Sequence, residues 1–279
     1  MNQTNELKKE DYIEPACPLC EEPYGVTPEV RPVPQRRIIE KMDEYMSRRD
    51  YTGAERHLKY WLEEAKLGQD LRGQLMIRNE MIGHYRKTGE KENAFANIEE
   101  ALRLVSVMDF DGTISAGTTY TNAATAYHAF GEYEKAIALF EKAKPVYESS
   151  GNTRPDLLGG LYNNMALTYT ALNRFPEAYD LYEKAYAVMG QLEGGVLEQA
   201  ITCLNMADLT EAEYGPEEGE KRIYELVDKA YDLLNDPDVK RDGYYAFVCE
   251  KCAPSFSYYG YFMAADELKK RAEAIYERD

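Results

Sequence analysis

The sequence predicts an all-α solenoid of about six helix hairpins behind an extended N-terminal arm. Three observations carry this: a near-constant repeat period, a double stripe of apolar residues in each period, and a Gly or Asn between the two stripes. The segments 78–102, 120–144 and 162–186 align with one another residue for residue. Equivalent positions at Ala54, Ala94, Ala136, Ala178, Ile223 and Ala265 recur at intervals of 40, 42, 42, 45 and 42 residues. A fixed period over six units is the mark of stacked structural repeats.

In chain order, residues 1–34 come first, with six prolines and little helical periodicity. The run Thr27-PEVRPV-Pro34 predicts extended, polyproline-like chain, either a free tail or an arm lying along the surface or the groove. The solenoid spans 35–279, with repeats near 36–70, 75–108, 117–150, 159–192, 200–235 and 244–279. In the fourth repeat, Tyr162, Met165, Ala166 and Tyr169 are followed by Phe175, Ala178, Tyr182 and Ala185. Those i, i+3, i+4, i+7 spacings on either side of Asn173-Arg174 describe two amphipathic helices joined by a tight turn. Ala166 and Ala178 are small because the helices cross there. Gly89 and Gly131 occupy the same turn in neighbouring repeats, supplying a left-handed helix cap. The fifth repeat departs from the pattern, with Tyr214-Gly-Pro-Glu-Glu inserted at its turn, and Pro254 in the last predicts a helix kink.

The pattern aromatic–x–Asn–Leu/Met–Ala–x–x–Tyr, then Gly–x–Tyr/Phe–x–x–Ala–x–x–x–Tyr/Phe–x–x–Ala, resembles the tetratricopeptide repeat. The long period and the wording Asn163-NMALT-Tyr169 resemble the kinesin light chain type in particular, and long repeats of this kind also occur in bacterial receptors for signalling peptides. The resemblance covers roughly residues 36–279 and implies a right-handed superhelix whose first helices line a concave groove.

In that frame Asn122, Asn164 and Asn205 hold the groove position of successive repeats, with Asn163 and Asn79 one position earlier at the edge. An Asn amide both donates and accepts, so a row of them pairs with the backbone of an extended peptide whatever its side chains. The resemblance implies such use. The same amides also suit a second role, bonding adjacent helices and spacing the stack. Thr118, Thr121, Thr125, His128, Thr168, Thr170, Asp208 and Glu211 complete a neutral to acidic wall. Such a wall favours a neutral or basic peptide, although a generally acidic surface would look the same. Arg78, Arg86 and Lys87 do not reproduce the basic carboxylate clamp of heat-shock co-chaperone repeats. The expectation is therefore a non-enzymatic scaffold for a protein or peptide partner. The alternative is a receptor for a small signalling peptide that acts through another protein.

Several motifs invite other readings. Asp109-Phe-Asp-Gly-Thr113 matches the D-x-D-G-T nucleophile loop of haloacid-dehalogenase-like phosphatases. That loop must follow a buried parallel strand, whereas Asp109 here follows a helical stripe, so an inter-repeat turn is expected. Cys17-Pro-Leu-Cys20 and Cys249-Glu-Lys-Cys252 could together offer a zinc ion four thiolates. The two pairs lie at opposite ends of the chain, and Cys249, Cys252 and Cys203 fall on apolar repeat positions, so buried thiols are the leading reading and no cofactor is expected. The aromatic run Phe256-SYYGY-Phe262 suits an exposed patch or a core equally.

Composition narrows the classes further. Of 279 residues, 44% are apolar, enough for a core, and 33 basic against 50 acidic side chains give a net charge of −17. That balance argues against nucleic acid or an anionic membrane surface as partner. The first residues lack the apolar run of a secretory signal and cysteines are sparse, so a reducing cytoplasm is expected.

Overall fold

The computed structural model describes residues 30–151 and 153–277. Among these the chain is all-α, the superhelical repeat class that the sequence predicts, with twelve helices paired into six hairpins and no strand. It divides into two compact units, residues 1–77 and 78–279.

The described part of the first unit holds α1 (Gln35–Ser47), α2 (Tyr51–Leu67) and the start of α3 (Leu71–Thr88). Ile38 and Met42 of α1 and Ala54, Leu58, Leu62 and Ala65 of α2 are buried, the apolar stripes of two amphipathic helices. Residues 30–34 are non-helical and are held at the α2–α3 turn. The Arg31 amide donates to the Gly68 carbonyl (2.9 Å), and the Val33 amide donates to Asp70 Oδ2 (2.9 Å). Asp70 Oδ1 accepts from the Gly73 amide (2.9 Å), so one buried carboxylate caps α3 and pins the preceding chain. The remainder of the predicted arm, with Cys17 and Cys20, lies outside the described residues.

The second unit begins within α3 and continues with α4 (Lys91–Val107), α5 (Ile114–Ala129), α6 (Tyr133–Ser149), α7 (Pro155–Ala171) and α8 (Phe175–Met189). Then come α9 (Val196–Glu218), α10 (Glu220–Leu234), α11 (Gly243–Tyr258) and α12 (Phe262–Tyr276). From α5 onward each odd-numbered helix packs on its hairpin partner, α5, α7 and α9 pack also on the preceding even-numbered helix, and α5, α7, α9 and α11 touch in sequence. Ala94, Ala136 and Ala178 are completely buried, which lets the paired backbones approach. No hairpin buries its apolar face alone, so stacking completes the core.

One device closes every hairpin. A residue with positive φ stands where the first helix of each pair ends or bends: Arg49, Gly89, Gly131, Asn173, Gly215 and Gly260. In five of the six the next amide reaches back five residues, to the carbonyl of Tyr45, Tyr85, Tyr127, Tyr169 or Phe256 (2.8–2.9 Å). This is the Schellman closure of a helix C-terminus. The exception is the fifth hairpin, where Gly215 (φ 79°) interrupts α9 and Pro216–Glu218 form an extra turn before α10. The inserted Tyr214-Gly-Pro-Glu-Glu is therefore a bent continuation of the first helix. Pro254, by contrast, does not break α11, which runs through it with no non-helical residue. Pro254 itself is exposed, and the ring replaces one helical amide donor.

Candidate functional site

Asn and Thr side chains on α3, α5, α7 and α9 form a polar ladder between successive first helices. Asn79 Nδ2 donates to Thr119 Oγ1 (3.0 Å), and Asn122 Nδ2 donates to Asn79 Oδ1 (3.3 Å). One step on, His128 Nδ1 meets Thr168 Oγ1 at 3.0 Å. The Thr168 hydroxyl gives its hydrogen to the Asn164 carbonyl (2.9 Å), so His128 Nδ1–H is the donor of that bond. Burial lowers the His128 pKa, which favours this neutral ring. Asn163 Nδ2 donates to Thr202 Oγ1 (2.9 Å) between α7 and α9. Each bond spans about one repeat, 39 to 43 residues, and contributes on the order of 1 kcal/mol. Asn79, Asn122 and Asn163 thus hold the inter-helix contacts that were the second reading of the row.

Asn164 and Asn205 differ. Both are half-buried, and neither amide has a hydrogen-bond partner among the described residues. Asn122 is half-buried too, and keeps its carbonyl oxygen out of the bond to Asn79. Thr121, Thr125 and Thr170 turn their hydroxyls back to the carbonyls of Gly117, Thr121 and Ala166 (2.8–2.9 Å), which leaves their methyl groups and spare lone pairs outward. The residues are those the sequence picked out; which amides are already engaged needed the register between helices.

Further along, Tyr258 donates to Glu211 Oε1 (2.8 Å), and Tyr259 donates to Asp208 Oδ1 (2.7 Å) and Glu211 Oε2 (3.1 Å). The bond to Glu211 raises the Tyr258 pKa, and partial desolvation raises that of Asp208, opposed by the Tyr259 bond and reinforced by the Glu211 charge. This acidic–aromatic pairing escaped the sequence reading. Its partners sit 47 to 51 residues apart, out of step with the 42-residue period because of the α9 insertion. The aromatic run divides between roles, with Phe256 fully buried and Tyr258 and Phe262 exposed.

Asp109 and Gly112 take positive φ in the turn between α4 and α5. Thr113 Oγ1 caps α5 by accepting from the Ala116 amide (3.2 Å), and Tyr120 donates to Asp111. Desolvation, with the adjacent Asp111 charge, pushes the Tyr120 pKa up to about 12. The D-x-D-G-T segment serves as an inter-repeat turn here.

Cys203, Cys249 and Cys252 are buried thiols. No group of three metal-ligating side chains occurs among the described residues, and no described helix is long and apolar enough to cross a membrane. Burial raises all three thiol pKa values, Cys203 to about 11 and Cys252 to about 12. Since only the thiolate reacts, a shift of about two units cuts its fraction at pH 8 by about 100-fold. Iodoacetamide is accordingly expected to alkylate Cys203 and Cys252 on the order of 100-fold more slowly in the folded chain than in urea, and Cys249 more slowly as well, as peptide mass spectrometry would read. Native rates within tenfold of the unfolded ones would contradict a closed core around α9 and α11.

The fold agrees with that of known proteins. Residues 74–149 and 159–194 each match a tetratricopeptide-repeat family model. No curated protein matches the chain in sequence. A putative kinesin light chain with nearly identical TPR-like repeats from Podosopora anserina is 19% identical, with TM-score 0.51 over 72% of this chain and 94% of that one. BtubC (BKLC) from P. vanneervenii is 18% identical, with TM-score 0.48 over 88% and 91%. Repeat period, hairpin packing and the two family matches together place tetratricopeptide repeats at residues 74–149 and 159–194, in a fold similar to that of the kinesin-light-chain-like protein from Podosopora anserina; repeats of this kind generally mediate the binding of protein partners.

Proposed function

We propose that this protein is a non-enzymatic scaffold that holds an extended peptide or partner segment along the first helices of its repeats. The observation that carries this reading is the unequal use of the Asn row. Asn79, Asn122 and Asn163 bond to neighbouring helices, while Asn164 and Asn205 present half-buried amides with no partner inside the described chain. A half-buried amide with no partner within the chain is free to donate to and accept from a ligand backbone at once. Asn122 adds its carbonyl oxygen, and Thr125 and His128 line the same stretch of α5. The acidic residues Asp208 and Glu211 favour a neutral or basic peptide.

Affinity capture from native lysate tests this, comparing wild type with Asn122→Ala/Asn164→Ala/Asn205→Ala. The expected result is a partner retained by wild type and reduced at least ~10-fold in a variant of unchanged circular dichroism, since three lost bonds are worth about 1 kcal/mol each. Equal capture by both proteins would sink the Asn-face reading.

A further inference from the structure

The insertion at the fifth hairpin has a consequence beyond the Asn face. Gly215 turns the chain so that Pro216–Glu218 stand away from the α9 axis, and a cleft of about 730 Å³ opens between this turn, α10 and the end of α11. Glu211, Glu217, Glu220, Tyr224, Tyr258 and Tyr259 line it, and no Lys or Arg does. A second cavity of about 570 Å³ adjoins it across Glu211 and Tyr258. Tyr258 is 69% exposed and Tyr224 43% exposed, so both ring surfaces meet solvent at the cleft. The rings are preset: Glu211 accepts the hydroxyls of both Tyr258 and Tyr259, whose centroids lie 5.1 Å apart in an edge-to-face arrangement.

We infer that this cleft receives an arginine side chain of a partner polypeptide. The inference rests on the partner-binding reading only in that the arginine arrives on a peptide; the cleft is separate from Asn164 and Asn205. An aromatic face attracts a cation through the ring quadrupole, and a guanidinium both stacks on such a face and forks onto a carboxylate. Glu217 and Glu220 form no ion pair among the described residues, which leaves two carboxylates beside the rings for the fork. Lysine offers a compact charge without the planar fork, so arginine is the better fit.

The test uses the full chain and a fluorescein-labelled octapeptide, Gly-Ser-Arg-Gly-Ser-Arg-Gly-Ser-amide. A counterpart carries citrulline in place of both arginines, and binding is read by fluorescence anisotropy. The arginine peptide is expected to bind wild type about tenfold more tightly than the citrulline peptide. That ratio should fall to about one in Tyr258→Ala and in Glu217→Gln/Glu220→Gln, and persist in Asn164→Ala/Asn205→Ala. Tyr258→Ala alters no charge, so loss there separates the cleft from general attraction to an acidic chain. No preference for arginine in wild type, or a preference that survives both cleft variants, would overturn the inference. The Asn-face proposal would stand in that case, because its own variants are read by partner capture.

Discussion

Tyr245→Ala is expected to lower the stability of the α11–α12 hairpin by about 3–5 kcal/mol, the usual cost of deleting a buried aromatic ring. Tyr245 is fully buried near the start of α11. Its hydroxyl donates to the Leu234 carbonyl at the end of α10 (3.2 Å) and accepts from Arg241 Nη1 (2.6 Å) and Arg271 Nη1 (2.9 Å). The Arg241 guanidinium also lies 4.8 Å from the ring centroid. One side chain therefore joins α10, the following loop, α11 and α12. Tyr245→Phe keeps the ring and loses the three bonds, and should cost less, about 1–3 kcal/mol. Because repeat stability is a sum of local and nearest-neighbour contributions, the damage should stay local. Hydrogen exchange of Tyr245→Ala is expected to accelerate across residues 243–276 and stay near wild type in α5–α8. Uniform acceleration along the whole second unit, or none at all, would contradict this.

Gly195→Ala is expected to destabilise by about 3 kcal/mol, the upper part of the ordinary range for single substitutions. Gly195 sits where the loop after α8 enters α9, with unexceptional helical backbone angles. The obstacle is spatial: an added Cβ would stand 1.9 Å from the Met189 carbonyl oxygen and 2.9 Å from its carbon. Met189 is buried, and its carbonyl accepts from the Leu192 amide (3.0 Å), so backbone must move to make room. For a chain of this size the loss corresponds to a melting-temperature drop of roughly 6 °C. Gly160→Ala on α7 is the matched control. Nothing lies within 4 Å of its Cβ position, so the helix-propensity gain of about 0.5–1 kcal/mol should appear unopposed. A Gly195→Ala protein melting within 1 °C of wild type would show that the loop yields more easily than its contacts indicate.

Several local features were legible because they depend on a few neighbouring residues. The Gly and Asn turn residues, the small crossing residues and the inter-repeat turn at Asp109–Thr113 each follow from short-range rules. Pro254 shows the limit of such rules. Its effect depends on which way the lost carbonyl faces, and that is set by the helix's place in the stack. The aromatic run 256–262 is similar: its split between core and surface follows from where α11 meets α10 and α12, which periodicity alone cannot resolve.

What the sequence by itself determined is the repeat: its period, its two stripes, its turn chemistry and hence the all-α hairpin stack. Those properties are local or strictly periodic, so one dimension records them. The tertiary structure decided which polar groups are consumed and which remain for a ligand. Asn163 and Asn164 are adjacent in sequence, yet the side-chain amide of one bonds to Thr202 across the repeat, and that of the other has no partner among the described residues. Tyr258 and Glu211 meet only because the bend at Gly215 resets the register between α9 and α11. Hydrogen-bond partnership depends on distances of a fraction of an ångström between elements some 40 residues apart, and those distances exist only once the helices are packed.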